Sequence, residues 1–161
     1  MRTLDVVDKD TGLYAGEAFE RLLADEVERA EAGDYPFSII ACVPYRLPGE
    51  EAADVVRIAA GCIRDLLRRD DLAGRLNEDI LAIGLPDTKP DNARVVAYRL
   101  KSDLGLRTAH WRATKWEAGV ASLPEDGETA EQLINAAIEA AKESHRQSAY
   151  YSEPAPRRLA S

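Results

Sequence analysis

Six consecutive apolar residues, Ile80-Leu81-Ala82-Ile83-Gly84-Leu85, constrain this chain more than any other stretch. The run is too short for an ordinary helix and shows no polar alternation. It begins after a turn signal at Asn77-Glu78 and ends at Pro86-Asp87. A strand that is apolar on both sides belongs inside a sheet with both faces covered. Just upstream, Arg68-Arg69-Asp70-Asp71-Leu72-Ala73-Gly74-Arg75-Leu76 reads as a helix end followed by a short strand. The segment therefore predicts a β-hairpin with a tight turn and its tip at a sheet edge. Asn77 tolerates the positive φ that hairpin turns often demand. A charged pair, Arg68 and Asp71, stands before the hairpin.

The rest of the chain supplies the layers that such a strand needs. Residues 8–14 read as a turn with Gly12 as its flexible point. From Gly16 to about Ala32, Phe19, Leu22, Leu23, Val27 and Ala30 recur at helical spacing, and Gly33-Asp34 stops the helix. Phe37 to Val43 is a second nearly unbroken apolar run, a strand ended by Pro44. Ala52 to Leu67 reads as a helix with Val55, Val56, Ala59, Cys62 and Ile63 on one face. Arg64, Arg68 and Arg69 fall in its last turns, where cations suit the carbonyl end of the helix dipole. Pro90 opens a helix to about Leu104, with Val95, Val96 and Leu100 inward, Arg94 and Arg99 solvated, and Gly105 as C-cap. Residues 107–122 hold two short strand-like pieces, the second from Lys115 to Ser122. A last helix runs from about Thr129 to Arg146. Residues 1–151 form one domain, and residues 152–161, with Pro154 and Pro156, are expected to be a disordered tail. The order helix, strand, helix, hairpin, helix, strand, helix predicts the α/β class: a sandwich with a mixed central sheet flanked by helices.

Composition excludes several kinds of function. The net charge of −8 argues against general binding to nucleic acid or to an anionic membrane. There is no secretory signal pattern and no apolar run of membrane-spanning length, so a cytoplasmic location is expected. Cys42 and Cys62 lie in apolar runs and read as small buried hydrophobes. His110 and His145 have no cysteine partner at ligand spacing, so no zinc site and no other metal or cofactor is expected. Trp111 and Trp116 read as sheet packing.

Five segments together carry a resemblance. They are Asp8-x-x-Thr11-Gly12-Leu13 with Phe19 downstream, Asp71-Leu72-Ala73-Gly74-Arg75-Leu76, Leu85-Pro86-Asp87-Thr88, Ala118-Gly119-Val120-Ala121, and Ala141-Lys142 with Arg146 beyond. In this order and spacing the chain resembles the GGDEF family, the diguanylate cyclases that join two GTP into cyclic di-GMP, over roughly residues 5–150. The resemblance implies a GGDEF-like α/β sandwich with a signature β-hairpin.

At the signature the chain departs from the family. The Gly-Gly-Asp/Glu-Glu-Phe motif reads Asn77-Glu78-Asp79-Ile80-Leu81 here. Asn77 and Glu78 replace glycines that let a nucleotide approach. Asp79 keeps a carboxylate, but Ile80 stands where the family has a metal-ligating glutamate. The strand end that bears a metal-binding aspartate in the family reads Cys42-Val43-Pro44-Tyr45, and the following loop offers Arg46-Leu47-Pro48. Two Mg²⁺ ions need several oxygen ligands. The resemblance therefore implies a catalytically dead domain rather than an enzyme.

One family feature is retained. Arg68-x-x-Asp71 falls at the spacing of the family's inhibitory site for cyclic di-GMP, and Arg99 falls where a second arginine often helps, with Arg94 in reserve. A guanidinium fork can meet phosphate and a guanine edge, and a carboxylate can accept from guanine N1–H and its amino group. The expectation is a cyclic di-GMP receptor that acts through Arg68, Asp71 and Arg99, with a second copy or a partner signalling protein. Arg and Asp three residues apart also make plain surface ion pairs, worth about 0–1 kcal/mol. A ligand-free dimerisation or interaction module is the alternative.

Overall fold

The structure is a computed structural model that describes residues 6–152, with side chains through residue 148. The elements in order are β1 (Tyr14–Ala15), α1 (Gly16–Gly33), β2 (Phe37–Tyr45), α2 (Ala52–Leu66), β3 (Leu72–Arg75), β4 (Leu81–Pro86), α3 (Pro90–Arg107), β5 (Lys115–Leu123) and α4 (Ala130–Ser152). They form one five-stranded sheet in the order β1-β3-β4-β2-β5. The β1–β3 pair is parallel and the rest are antiparallel, so the sheet is mixed.

The two apolar runs become the two inner strands, β2 and β4. Alternate residues explain why neither run could include a polar face. Phe37, Ile39 and Ala41 of β2 pack with Phe19, Leu23 and Val27 of α1 and Leu133 and Ala137 of α4. Ile40 and Cys42 of β2, with Leu81, Ile83 and Leu85 of β4, pack with α2 and α3 on the other face. Burying a side chain of this size contributes roughly 1.5–3 kcal/mol, so each strand is held from both sides. The one hydroxyl within these buried runs is satisfied: Ser38 Oγ donates to the Thr88 carbonyl at 2.7 Å and lies 2.8 Å from Ser122 Oγ.

Two glycines permit the close layering. A Cβ on Gly74 would sit well inside van der Waals contact of Phe19, and one on Gly119 would strike the α4 backbone at Ala137 and Ala141. So α1 and α4 press directly on β3 and β5.

Several local expectations change. β2 continues through Pro44 to Tyr45 because Pro44 faces Trp116 of β5, while pairing with β4 has already stopped at Cys42. A proline with a strand neighbour on one side only is tolerated. β1 is only two residues and gives no periodic signal. Of the two strand-like pieces in residues 107–122 only β5 forms; residues 108–114 are turns. Gly105 does not end α3: the helix runs to Arg107, and Thr108 caps it, its N–H and Oγ both donating to the Leu104 carbonyl at 3.0 and 2.6 Å. The inward face of α3 is Ala93, Ala97, Leu100 and Leu104, and Val95 is 61% exposed. The helix α2 stops at Leu66, so Arg68 and Arg69 lie beyond it rather than in its last turn. Cys42 and Cys62 are free and buried, and burial pushes the Cys42 thiol up to about 12. The last helix runs past Arg146 to Ser152, the first residue of the expected tail, and the rest of that tail, residues 153–161, lies outside the described residues. Among the described residues no helix is long and apolar enough to cross a membrane.

Candidate functional site

The strand β3 carries a different arrangement at each end. At its C-terminal end the hairpin loop, residues 76–80, is closed by Leu76 N–H donating to the Ile80 carbonyl at 2.9 Å. The loop is longer than a tight two-residue turn, and Asn77 does not adopt positive φ; among non-glycine residues described, only Asp34, Arg46 and Asp87 do. Asn77 acts instead through its side chain, whose Oδ1 accepts from the backbone N–H of Asp79 (2.9 Å) and Ile80 (2.8 Å).

Arg75 holds this loop from below. Its Nε donates to the Asn77 and Glu78 carbonyls at 3.2 Å, and Nη2 donates to the Glu78 carbonyl at 2.8 Å. Its Nη1 meets Asp8 at 3.2 Å and Asp10 at 3.5 Å. Asp8 also accepts from the Thr11 hydroxyl (2.7 Å) and backbone N–H (2.9 Å). Burial works against the Asp8 carboxylate, but the Thr11 bonds and the Arg75 charge together hold its carboxyl below the usual range. Asp8, Arg75 and the hairpin backbone are thus one unit.

A cleft of about 600 Å³ opens beside that unit, bounded by the loop before β1, the start of α2 and the hairpin. Five of its lining residues are acids, Asp8, Asp10, Glu50, Glu78 and Asp79, against one guanidinium, Arg75, which is already paired. The α2 end contributes Ala52 and Ala53. Ile80 is half-buried, and Leu81 is fully buried in the core. Among the described residues no group of three or more His, Cys, Asp or Glu is placed to hold a metal ion. Such a cleft repels a polyanion unless bound cations offset its own charge.

At the N-terminal end of β3 the picture reverses. Arg68 and Asp71 form a closed turn: Asp71 N–H donates to the Arg68 carbonyl at 3.1 Å, and Arg68 N–H donates to Asp71 Oδ2 at 2.8 Å. The Arg68 guanidinium lies 3.3 Å from both Asp71 oxygens and donates from Nη2 to Thr88 Oγ1 at 2.8 Å. The two side chains differ sharply, Arg68 being 61% exposed and Asp71 only 3%. Arg68, Asp71, Thr88, Asn92, Val95 and Arg99 line a cavity of about 270 Å³. Arg99 makes no ion pair among the described residues. The structure thus brings Arg68, Asp71 and Arg99 together. Arg94 stays outside this cavity, paired with Asp91 at 2.7 Å. Folding adds Thr88, Asn92 and Val95 to the motif residues around this cavity. Thr88 stands in the recognised Leu85-Pro86-Asp87-Thr88 segment, whereas Asn92 and Val95 show nothing in sequence that marks them.

Other named residues play lesser parts. Lys142 is exposed, and Arg146 pairs along α4 with Glu139 (2.9 Å) and Glu143 (2.7 Å). Trp116 is buried in the core and Trp111 packs against it.

A family profile described as Diguanylate cyclase, GGDEF domain, matches residues 5–149. The chain belongs to the GGDEF family. Solved GGDEF structures share its fold. The GGDEF domain of DgcB from Caulobacter crescentus, in complex with c-di-GMP, superposes with a TM-score of 0.80 at 18% identity, covering 91% of this chain and 94% of that one. The GGDEF domain of FimX from Pseudomonas aeruginosa gives 0.72 at 19% identity, with 89% and 96% covered. Diguanylate cyclase SiaD from Pseudomonas aeruginosa, in complex with its activator SiaC, gives 0.74 at 22% identity, with 88% and 58% covered. No curated protein sequence matches the chain. At these identities the structural likenesses establish the fold, and the GGDEF hairpin is the β3–β4 turn described above.

Proposed function

We propose that this GGDEF domain does not make cyclic di-GMP but binds it, through Arg68, Asp71 and Arg99. The observation that carries this reading is their convergence on one cavity, with an exposed Arg68 and an unpaired Arg99 beside a nearly buried Asp71. Two guanidinium groups offer phosphate contacts, and Asp71 offers an acceptor for a guanine N1–H and amino group. Arg68 gives up its 3.3 Å contacts with Asp71 as the ligand arrives. At about 270 Å³ the cavity lies just below the ~300–1,000 Å³ span of ordinary ligand sites, so it seats one guanine-phosphate half. The other half projects toward a second surface, which a second copy of the domain would supply. The acidic hairpin cleft supports the inactive half of the proposal, because GTP would bring its triphosphate to five carboxylates.

Titration calorimetry with cyclic di-GMP tests the reading, with Arg68→Ala as the matched variant. Heat from the native chain and none from the variant supports it; no heat from the native chain overturns it. Incubation with GTP and Mg²⁺ is expected to give no cyclic di-GMP even at high protein concentration. A ligand-free interaction module is the second reading, favoured by Val95, Tyr98 and Leu106, which stand 61%, 77% and 76% exposed on α3. Self-association or partner capture lost on Tyr98→Glu, without any cyclic di-GMP binding, would select it.

A further inference from the structure

The two edges of the sheet are finished differently. β1, at one edge, has two residues, while β5, at the other, has nine. A long unpaired edge strand is a template for further pairing, and folded proteins usually blunt it. β5 has no proline, and its pairing with β2 runs without a bulge from Leu123 back to Lys115.

Side bonds close both ends of this edge and leave its middle open. Ser122 turns away from β2: its N–H donates to Asp126 Oδ2 at 2.8 Å, and its carbonyl accepts from the Asp126 N–H at 2.9 Å. Backbone groups of an antiparallel strand alternate in direction, so those of Val120 and Ala118 also point outward. At the other end the Glu117 carboxylate accepts from Lys101 of α3 at 2.8 Å and from Ser144 of α4 at 3.1 Å. Since α3 and α4 cover opposite faces, that bridge wraps the edge. Between the two closures, the N–H and carbonyl of Ala118 and of Val120 make no hydrogen bond among the described residues. A groove of about 360 Å³ runs along them, with Arg94, Tyr98 and Lys101 of α3 on one wall and Ala140 and Ser144 of α4 on the other.

We propose that this groove takes an extended acidic segment of a partner protein, which adds to β5 as a further strand. The backbone of Ala118 and Val120 supplies the rungs. Two features select the side chains. α4 lies directly over Gly119, whose Cβ would strike the helix backbone, so the segment places a small residue on that face. The α3 wall holds two cations, Arg94 and Lys101, and the groove is lined by no carboxylate, so acidic residues suit that face. The exposed pair between Arg94 and Asp91 is weak enough to be exchanged.

Other occupants fit less well. A second copy's β5 would bring its own α4 to a strand spacing of about 4.8 Å, where packed helices need about 8–10 Å. The chain's own residues 153–161 include Pro154 and Pro156, which lack a donor, and Arg157 and Arg158, which Arg94 and Lys101 repel.

The probe is the peptide acetyl-Val-Glu-Ala-Glu-Val-amide, titrated into the isotope-labelled chain and followed by amide resonances, with Val-Lys-Ala-Lys-Val as its control. In the free chain the amides of Ala118 and Val120 are expected to exchange with solvent at least about tenfold faster than those of Gly119 and Ala121, which face β2. The acidic peptide is expected to give saturable shifts centred on Ala118 and Val120 with a Kd below about 1 mM, and the lysine peptide to bind at least about tenfold more weakly. Val120→Pro removes a donor that the sheet does not use, so the fold is kept while binding falls at least about tenfold. Arg94→Glu, at an exposed position, reverses the preference between the two peptides. Arg68→Ala leaves this binding intact, which separates it from the cyclic di-GMP reading. No saturable shift up to several millimolar, equal binding of the two peptides, or slow exchange of the Ala118 and Val120 amides in the free chain overturns the proposal.

Discussion

The strand β3 is only four residues long, Leu72 to Arg75, so its two ends lie about 10 Å apart. Each end presents an arginine beside an aspartate, yet the two arginines do different work. Arg75 is 18% exposed and spends its donors on the hairpin carbonyls and on Asp8 and Asp10. Arg68 is 61% exposed, with contacts to Asp71 and Thr88 that a ligand can replace. The same residue type is structural where main-chain carbonyls hold it together with carboxylates, and available where its guanidinium meets side chains alone. The acids differ too: five carboxylates face one arginine in the hairpin cleft, while two, Asp71 and Asp87, stand with two arginines, Arg68 and Arg99, around the other cavity.

That contrast can be broken or sharpened by substitution. Gly74→Val should have the largest effect, because Gly74 sits between both ends and its Cβ would collide with Phe19. The expected loss is about 3 kcal/mol of stability, read as a lowered urea midpoint, with both ends disturbed together. Arg75→Ala should come next, at about 2–3 kcal/mol, since it leaves the hairpin carbonyls without their side-chain donor and Asp8 with only its Thr11 bonds. The proposed cyclic di-GMP binding at the other end should survive it. Arg68→Ala should invert that pattern: under about 1 kcal/mol in stability for an exposed pair, but loss of the proposed ligand binding by calorimetry. If Arg68→Ala destabilised the fold as much as Arg75→Ala, the distinction between the two ends would fail.

The smallest effect is in pH. The Asp8 carboxyl is held below its unfolded range, so its contribution is present above about pH 4 and is lost as pH falls through the folded value. Acid unfolding of the native chain should therefore be steeper below pH 4 than that of Arg75→Ala, which lacks part of the cause. Coincident acid limbs for the two proteins would show that Arg75 does not act through Asp8.

Most of the architecture is legible in sequence because β2 and β4 have no polar face to hide. Five segments in register made the GGDEF resemblance readable, and a profile match over residues 5–149 bears it out. What stayed hidden has physical reasons. β1 has two residues and no pattern. On α3 the expected inward Leu100 is buried and Val96 packs on the core, but Val95 is exposed, because Val95, Tyr98 and Leu106 are apolar residues on the outer face and blur the hydrophobic spacing. The helix α2 ends at Leu66, one residue short of the expected Leu67, and Arg68 and Arg69, good helix formers, lie outside it because the Arg68 N–H closes a turn onto Asp71. Arg68, Asp71 and Arg99 were named from motif register, and the fold places them around one cavity. Thr88 and Asn92 complete that cavity only through folding, which brings the start of α3 beside the turn before β3.

Thr88 carries a consequence of its own. Its N–H donates to the Pro36 carbonyl, its carbonyl accepts from Ser38 Oγ, and its hydroxyl donates to the Pro86 carbonyl while accepting from Arg68. Ser38 is itself anchored beside Ser122, its partner across the β2–β5 pair. One wall of the Arg68 cavity is therefore preorganised before any ligand arrives. What remains to be ordered is the rotamers of Arg68 and Arg99, at about 0.5–1.5 kcal/mol each. Exposed side chains reorient in picoseconds to nanoseconds. If the proposed ligand binds here, its entry is timed by encounter and by two side-chain rotations rather than by a backbone rearrangement.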